Sequence, residues 1–288
     1  MRISELQTSE VVWVAPEKSI DTAITLMEER GIHHLPVVCD GHVEGMLSDR
    51  DLLLAVGWKL AVERRMTRSP GKVAGPRRVE QIMSTPVVTI TPDDSVAYAA
   101  RTMVERKIGA LPIVKHDRLL GIVTESDLLQ WLRLGDLDRS LERMLSEPVR
   151  DHMHSTVASV APEDSLHEVV RLFRERHCRH VPVVEGTILV GMISDRDVRR
   201  AMGEASINDA QAQGEGRFYL GPTAARDIMI APVRTIEPSA ALLTAVKCLL
   251  SHHIHALPVT EGEELVGILT ASDVIGMIAR AEEPVASS

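Results

Sequence analysis

Aromatic residues are almost missing from this 288-residue chain: three Trp, two Tyr and two Phe, 2% of the sequence. Its cores must therefore be built from Val, Leu, Ile, Met and Ala. Cysteine is equally scarce: Cys39, Cys178 and Cys248 form no CxxC pair. That usage fits a reducing compartment and excludes a disulfide framework. No apolar run approaches the ~20 residues that span a bilayer, and the N-terminus, MRISELQTSE, lacks a signal-peptide core. The expectation is a cytoplasmic protein with no membrane span. Positive charge is in deficit, with 32 Lys+Arg against 41 Asp+Glu, a net −9 and a pI near 5.7, which argues against a general nucleic-acid binder. There is no Gly-rich phosphate loop, no nucleophile elbow and no Cys paired with a His at an activating spacing, so an enzyme is not expected. The histidine clusters, His252-His253-x-His255 and His152-x-His154, lack a Cys or carboxylate at ligand spacing, so no metal site is expected.

What is present is repetition. The stretch Gly121 to Asp127 (GIVTESD) recurs as Gly45 to Asp51 (GMLSDRD), Gly191 to Asp197 (GMISDRD) and Gly267 to Asp273 (GILTASD). Nine residues before each glycine stands a proline (Pro36, Pro112, Pro182, Pro258), and twenty residues earlier another (Pro16, Pro92, Pro162, Pro238). Three landmarks at fixed offsets, four times over, define a repeat architecture. Copies one and three, and copies two and four, share an offset of 146 residues, so the larger unit is a pair. Units of roughly 60 residues are small for independent stability, which also favours pairing.

Within each copy a β-branched run stopped by the first proline predicts a strand: residues 11–14, 87–90, 157–160 and 233–236. Next comes an i, i+3, i+4, i+7 stripe, as in Ile20, Ala23, Ile24 and Met27, which predicts an amphipathic helix. A strand holding the second proline, a polar turn such as Cys39-Asp40-Gly41, and a strand ending at Ser or Thr follow, with a second helix expected from Asp51, Asp127, Asp197 and Asp273. The fold class is α+β, as strand-helix-strand-strand-helix units. Their expected bounds are 1–60, 79–135, 149–203 and 225–280. The connections at 58–78, basic, and 203–224, small and polar, are expected to lie inside each pair. That at 136–148 joins the pairs and looks helical.

Ser48, Thr124, Ser194 and Thr270, each three residues before its Asp, suit a helix cap. The shorter Asp where a capping box prefers Glu or Gln points further. A helix N-terminus with free N–H groups, a hydroxyl and a carboxylate suits a phosphate and a diol together.

On these residues, and most fully on MSTPVVTITPDDSV, ALPIV and GIVTESDLL in copy two, the chain resembles proteins with four CBS domains, that is, two tandem Bateman modules. The resemblance covers nearly all of residues 1–280. It implies units packed sheet to sheet about pseudo-two-fold axes, with adenosyl ligands (AMP, ADP or ATP, in some members S-adenosylmethionine or cyclic di-AMP) in the clefts between them. It makes Asp51, Asp127, Asp197 and Asp273 ribose ligands, and Ser48, Thr124, Ser194 and Thr270 phosphate or ribose contacts. It also implies pocket-lining roles for Ser84, Thr85 and Val87, for Ser155 and Thr156, and for Ala231 and Val233. Basic groups facing phosphate would be His33 and His34, Arg179 and His180, and His255, with Arg50 and Arg196 adding charge. Copy two has Gly109-Ala110 there and no cation. Copies one and three thus look built for phosphate.

The function expected is a regulatory adenine-nucleotide sensor acting on a protein partner by conformational change. The alternatives are a structural or oligomerisation module with few occupied sites, and a sensor of S-adenosylmethionine or cyclic di-AMP. Four units can close into an assembly within one chain, and a homodimer is the other arrangement.

Overall fold

The computed structural model describes residues 1–6, 10–52, 55, 76–134, 137–201 and 224–281. The connections at 58–78 and 203–224 fall almost wholly outside them. Each unit contains a first helix, a β-hairpin and a second helix. Unit 1 has α1 (Ile20–Arg30), β1 (His34–Cys39), β2 (His42–Ser48) and a second helix, α2, visible at 49–52. Unit 2 has α3 (Val96–Arg106), β3 (Ala110–Lys115), β4 (Arg118–Thr124) and α4 (Glu125–Leu134). The connection between pairs is helical as expected, α5 (Arg139–Ser146). Unit 3 has α6 (Leu166–Glu175), β5 (His180–Glu185), β6 (Ile188–Ser194) and α7, visible at 195–201. Unit 4 has α8 (Leu242–Ser251), β7 (Ala256–Glu261), β8 (Glu264–Thr270) and α9 (Ala271–Ala281). The second helices begin two residues before the recurring aspartates, so each Ser or Thr of the stretch immediately precedes a helix.

The strand expected at the head of each unit is reduced to one parallel bridge: Val14 on Val37, Ile90 on Ile113, Val160 on Val183 and Ile236 on Val259. The two prolines of each repeat explain this. Val14 N–H donates to Pro36 O and Val38 N–H to Val14 O. Extending the ladder one way requires an N–H from Pro36, and the other way an N–H from Pro16. Neither proline has one. The same bonds and the same pair of prolines recur in the other three units.

Units pair within modules by exchanging their leading segments. The carbonyls of Pro16, Pro92, Pro162 and Pro238 accept from the backbone of Glu80, Ser4, Arg226 and Arg150, all in the partner unit's lead. The same exchange caps first helices, since Ile20, Val96 and Leu242 donate to Arg77, Met1 and Glu147 carbonyls. Side-chain caps add to this at Ser19, Ser95 and Ser165, while Ala241 in unit 4 has none. Hydrogen bonding joins the hairpins into two four-stranded sheets, β1-β2-β4-β3 and β5-β6-β8-β7. The central pairings are confined to His42–Arg118 and Ile188–Glu264, so the units touch at one end of the strands and leave space between them further along.

One hydrophobic core runs through units 2 and 4 and takes in Leu141 and Leu145 of α5, with Leu111, Leu128, Leu257 and Ile275 among its buried members. Units 1 and 3 have smaller cores of their own.

Candidate functional site

At Gly45, Gly191 and Gly267 the glycine that opens the repeated stretch is required by its neighbour. A Cβ on Gly45, Gly191 or Gly267 would lie 2.6, 2.5 or 2.5 Å from the sulfur of Met83, Met229 or Met153, each in the partner unit's lead. The lead therefore lies flat across the strand. Its next residue bridges the residue after the glycine: Ser84 on Met46, Ile230 on Met192 and His154 on Ile268. Five residues beyond those bridges stand Asp51, Asp197 and Asp273. Each of these three clefts is thus made of one unit's helix start and the other unit's lead.

The recurring carboxylate has two separate jobs. Asp51 Oδ2 accepts from Ser48 N–H at 2.8 Å and from Ser48 Oγ at 2.5 Å, and Asp51 N–H lies 3.4 Å from Ser48 Oγ. The geometry repeats at Thr124–Asp127, Ser194–Asp197 and Thr270–Asp273. This is a reciprocal capping box, so the expectation that Asp is too short to reach back is corrected. With the cap residue's hydroxyl and N–H converging on a single oxygen, the short side chain suffices. Only Oδ2 is used, and Oδ1 is left toward the facing lead. There Asp51 meets Ser84 Oγ at 3.1 Å and Asp273 meets His154 Nε2 at 2.8 Å. Asp197 faces Ile230, which has no polar side-chain atom. Burial pushes the Asp127 carboxyl above the usual range, against the bonds from Thr124.

Thr85, Ser155, Thr156 and Ala231 are exposed on the leads, with Val87 and Val233 half-buried behind them. In the second module Val157 and Val233 pack on Met192, Ala256 and Ile268, a small apolar floor drawn from both units. Beside Asp127 a cleft of ≈ 380 Å³ runs between Gln130 and Arg133 of α4 and Leu250, His253 and His255 of unit 4, within the range of small-molecule pockets.

The basic candidates do not stay with their own copies but pool where the modules meet. His33 Nδ1 lies 2.8 Å from Asp49 Oδ2, which also receives Arg196 Nε from unit 3 at 3.2 Å. Arg199 bridges Asp49 and Glu28 at 3.3 and 3.1 Å. Arg179 reaches Glu125 of unit 2 at 3.5 Å, and Ser272 of unit 4 donates to Glu125 at 2.6 Å. The rings of His33 and His255 stand edge to face at 6.4 Å. Gly109 makes room for neighbours, since a Cβ there would lie 3.2 Å from His34 and 3.4 Å from Arg179. The missing cation of copy two is thus supplied by Arg179 of unit 3, with the His34 ring of unit 1 beside it. Arg50 points elsewhere, to His177 Nδ1 at 3.2 Å.

Electrostatics follow from this crowding. Burial, with Arg179 close by, lowers the His34 pKa to about 3. Burial beside His255 and Arg179 lowers His180 to about 3, and burial beside Arg196 and Arg179 lowers His255 to about 4. These imidazoles are neutral at pH 7. Burial works against the Asp49 charge, but the His33 hydrogen bond and Arg199 hold its carboxyl below the usual range. Burial raises Asp195.

Sequence reasoning missed Asp49, Glu125 and Asp195, which stand two residues before the recurring Asp and are among the buried charged residues. The signal was there: three of four copies carry an acid at that place, and the fourth has Ala271. Arg199 and the role of His154 were missed too, because both act across unit boundaries.

Among the described residues, no helix is long and apolar enough to cross a membrane, and no group of His, Cys, Asp or Glu is arranged to hold a metal ion.

Helix-start carboxylates facing exchanged leads, repeated through two pseudo-symmetric pairs, define a protein of tandem paired units with clefts between them. The chain belongs to the CBS-domain family, whose model matches it four times, at residues 3–57, 79–134, 149–204 and 225–280. It is 30% identical over 289 residues to a 33.4 kDa protein in the ribosomal RNA operon of Thermofilum pendens, covering 97% of this chain and 93% of that one. Its fold matches the crystal structure of MJ1225 from Methanocaldococcus jannaschii, described as a candidate archaeal homologue of g-AMPK. The TM-score is 0.81 at 24% identity, over 97% of this chain and 100% of the other. A protein from Pyrococcus horikoshii matches with a TM-score of 0.61 at 17% identity, over 96% and 100%.

Proposed function

We propose that this chain is a regulatory module that binds adenine nucleotides of the AMP, ADP or ATP type between paired units. Ligand-dependent movement of the units would then be read by a protein partner. The observation that carries this reading is the divided aspartate. One carboxylate oxygen secures the helix start, and the other faces the cleft as a charged acceptor suited to a ribose diol. The apolar floor at Met192, Ala256 and Ile268 suits a purine, and the cation pool beyond suits phosphate. The residues carry no catalytic role in this reading, and the protein acts as a sensor in the cytoplasm.

A second reading has its own support. Arg179, Arg196 and Arg199 are already paired with Glu125 and Asp49, so a phosphate must compete with carboxylates for them. That favours a less anionic adenosyl ligand such as S-adenosylmethionine, or a structural module whose clefts stay empty. Thermal unfolding with AMP, ATP, S-adenosylmethionine and cyclic di-AMP separates these cases. A ligand at 100 times its Kd adds ~2.7 kcal/mol of stability. A shift with AMP or ATP supports the nucleotide reading, and a flat response to all four supports the structural one.

A further inference from the structure

The clefts share their aspartate but differ in what the facing lead offers it. Ser84, His154 and Ile230 occupy one backbone position, each bridged to the residue five before its aspartate. A serine hydroxyl stands 3.1 Å from Asp51 Oδ1. An imidazole Nε2–H donates to Asp273 Oδ1 at 2.8 Å. Ile230, 55% exposed, offers Asp197 nothing polar. On Asp273 the capping oxygen is already committed to Thr270 N–H and Oγ1, at 2.8 and 2.6 Å. With His154 in place Oδ2 is filled and Oδ1 already accepts from the imidazole, so a diol arriving there finds one lone pair on Oδ1 and must contend with the ring for it. The histidine is 66% exposed while Asp273 is 18% exposed. The ring can therefore turn out to water without disturbing the core, whereas the carboxylate stays where it is.

We propose that His154 is an internal competitor that holds the Asp273 cleft closed to ligand, and that the residue at this lead position sets the affinity of each cleft. The proposal rests on the adenine-nucleotide reading. It assigns regulation to one residue: the Asp197 cleft is open, the Asp51 cleft is weakly contested, and the Asp273 cleft admits a nucleotide only when His154 leaves. A carboxylate–imidazole contact this exposed competes modestly, which translates to a change of about three- to tenfold in affinity on its removal.

The test borrows the side chains the chain itself uses at the equivalent positions, so each is compatible with the local backbone. Calorimetric titration with AMP is run on the full chain, on His154→Ser and on His154→Ile, each with and without Asp273→Asn, with urea unfolding to confirm that every variant folds. The expected result is a gain in AMP affinity at one cleft in the order Ile, then Ser, then His, with the gain abolished by Asp273→Asn. Weaker binding in His154→Ile overturns the proposal, because His154 would then be a ligand contact. Unchanged binding in both variants, while Asp197→Asn loses affinity, overturns it and leaves the nucleotide reading standing. No AMP binding in any variant overturns both.

Discussion

Replacing Asp197 by Asn separates the two jobs of the recurring carboxylate, and this cleft is the right place because Ile230 does not compete there. Asp197 Oδ2 accepts from Ser194 N–H at 2.8 Å and Ser194 Oγ at 2.5 Å, bonds that an amide oxygen can also accept. An amide oxygen can keep both bonds to Ser194 and only the favourable negative charge in the first turn is lost, so the unliganded protein should lose ~0.3–1 kcal/mol, whereas Asp197→Ala also removes the reciprocal cap and should lose more. On the cleft side the substitution replaces a charged acceptor by an NH₂ donor, which cannot accept from a diol. A hydrogen bond to a charged group contributes ~1.5–3 kcal/mol, so AMP affinity at this cleft should fall roughly ten- to hundredfold. Scanning calorimetry without ligand and titration calorimetry with AMP read the two effects separately. If Asp197→Asn melts normally and binds AMP as tightly as the parent at that cleft, the aspartate is a cap alone and the main support for nucleotide sensing is gone.

Two further outcomes follow from the packing and the charge pool. Gly191→Ala puts a Cβ 2.5 Å from Met229 Sδ and 2.9 Å from its Cγ, so it should destabilise by ~1–3 kcal/mol. Adding Met229→Ala should recover part of that loss in urea melts, and strict additivity would show that the lead does not lie on the glycine. His34, His180 and His255 bind protons near pH 6.5 when unfolded but only near 3, 3 and 4 when folded. The unfolded chain therefore holds more protons below pH 6.5, and stability should fall as pH drops from 6.5 toward 4 while staying flat above 7. Each histidine contributes at most ~1.4 kcal/mol per pH unit. His34→Gln should make the melting temperature less sensitive to pH between 6.5 and 4.5, and an unchanged slope would count against a neutral, enclosed His34.

The repeat, both helices of each unit and the hairpins were legible because they rest on local patterns: the 3.6-residue stripe, the turn residues and the spacing of Gly and Asp. The prolines were legible as punctuation but not as ladder blockers. That role needs both members of the pair, Pro16 and Pro36 for instance, to meet across a parallel bridge. The capping box was misjudged at Asp because the reach was weighed for one side chain, whereas the hydroxyl and the N–H of Ser or Thr both turn toward it. The charge pool was assigned copy by copy because sequence offers neighbours only along the chain. Glu125 is held by Ser272 and Arg179, residues of units 4 and 3, and no local pattern announces such a meeting.

Exchange of the leads also explains how the clefts of Asp51, Asp197 and Asp273 can diverge while their aspartates stay the same. The carboxylate secures the start of a core helix, and Gly45, Gly191 and Gly267 must remain because a methionine lies on each. The lead residue that faces Oδ1 is under neither constraint. It sits on exposed backbone, held by main-chain bonds such as Ser84 N–H to Met46 O and His154 N–H to Ile268 O, which any residue except proline can make. Its side chain can therefore change from serine to histidine to isoleucine without cost to the sheet or the core. If the proposed role of this position holds, a cleft is opened, contested or closed by one substitution, and binding is tuned separately in each such cleft of a single folded chain.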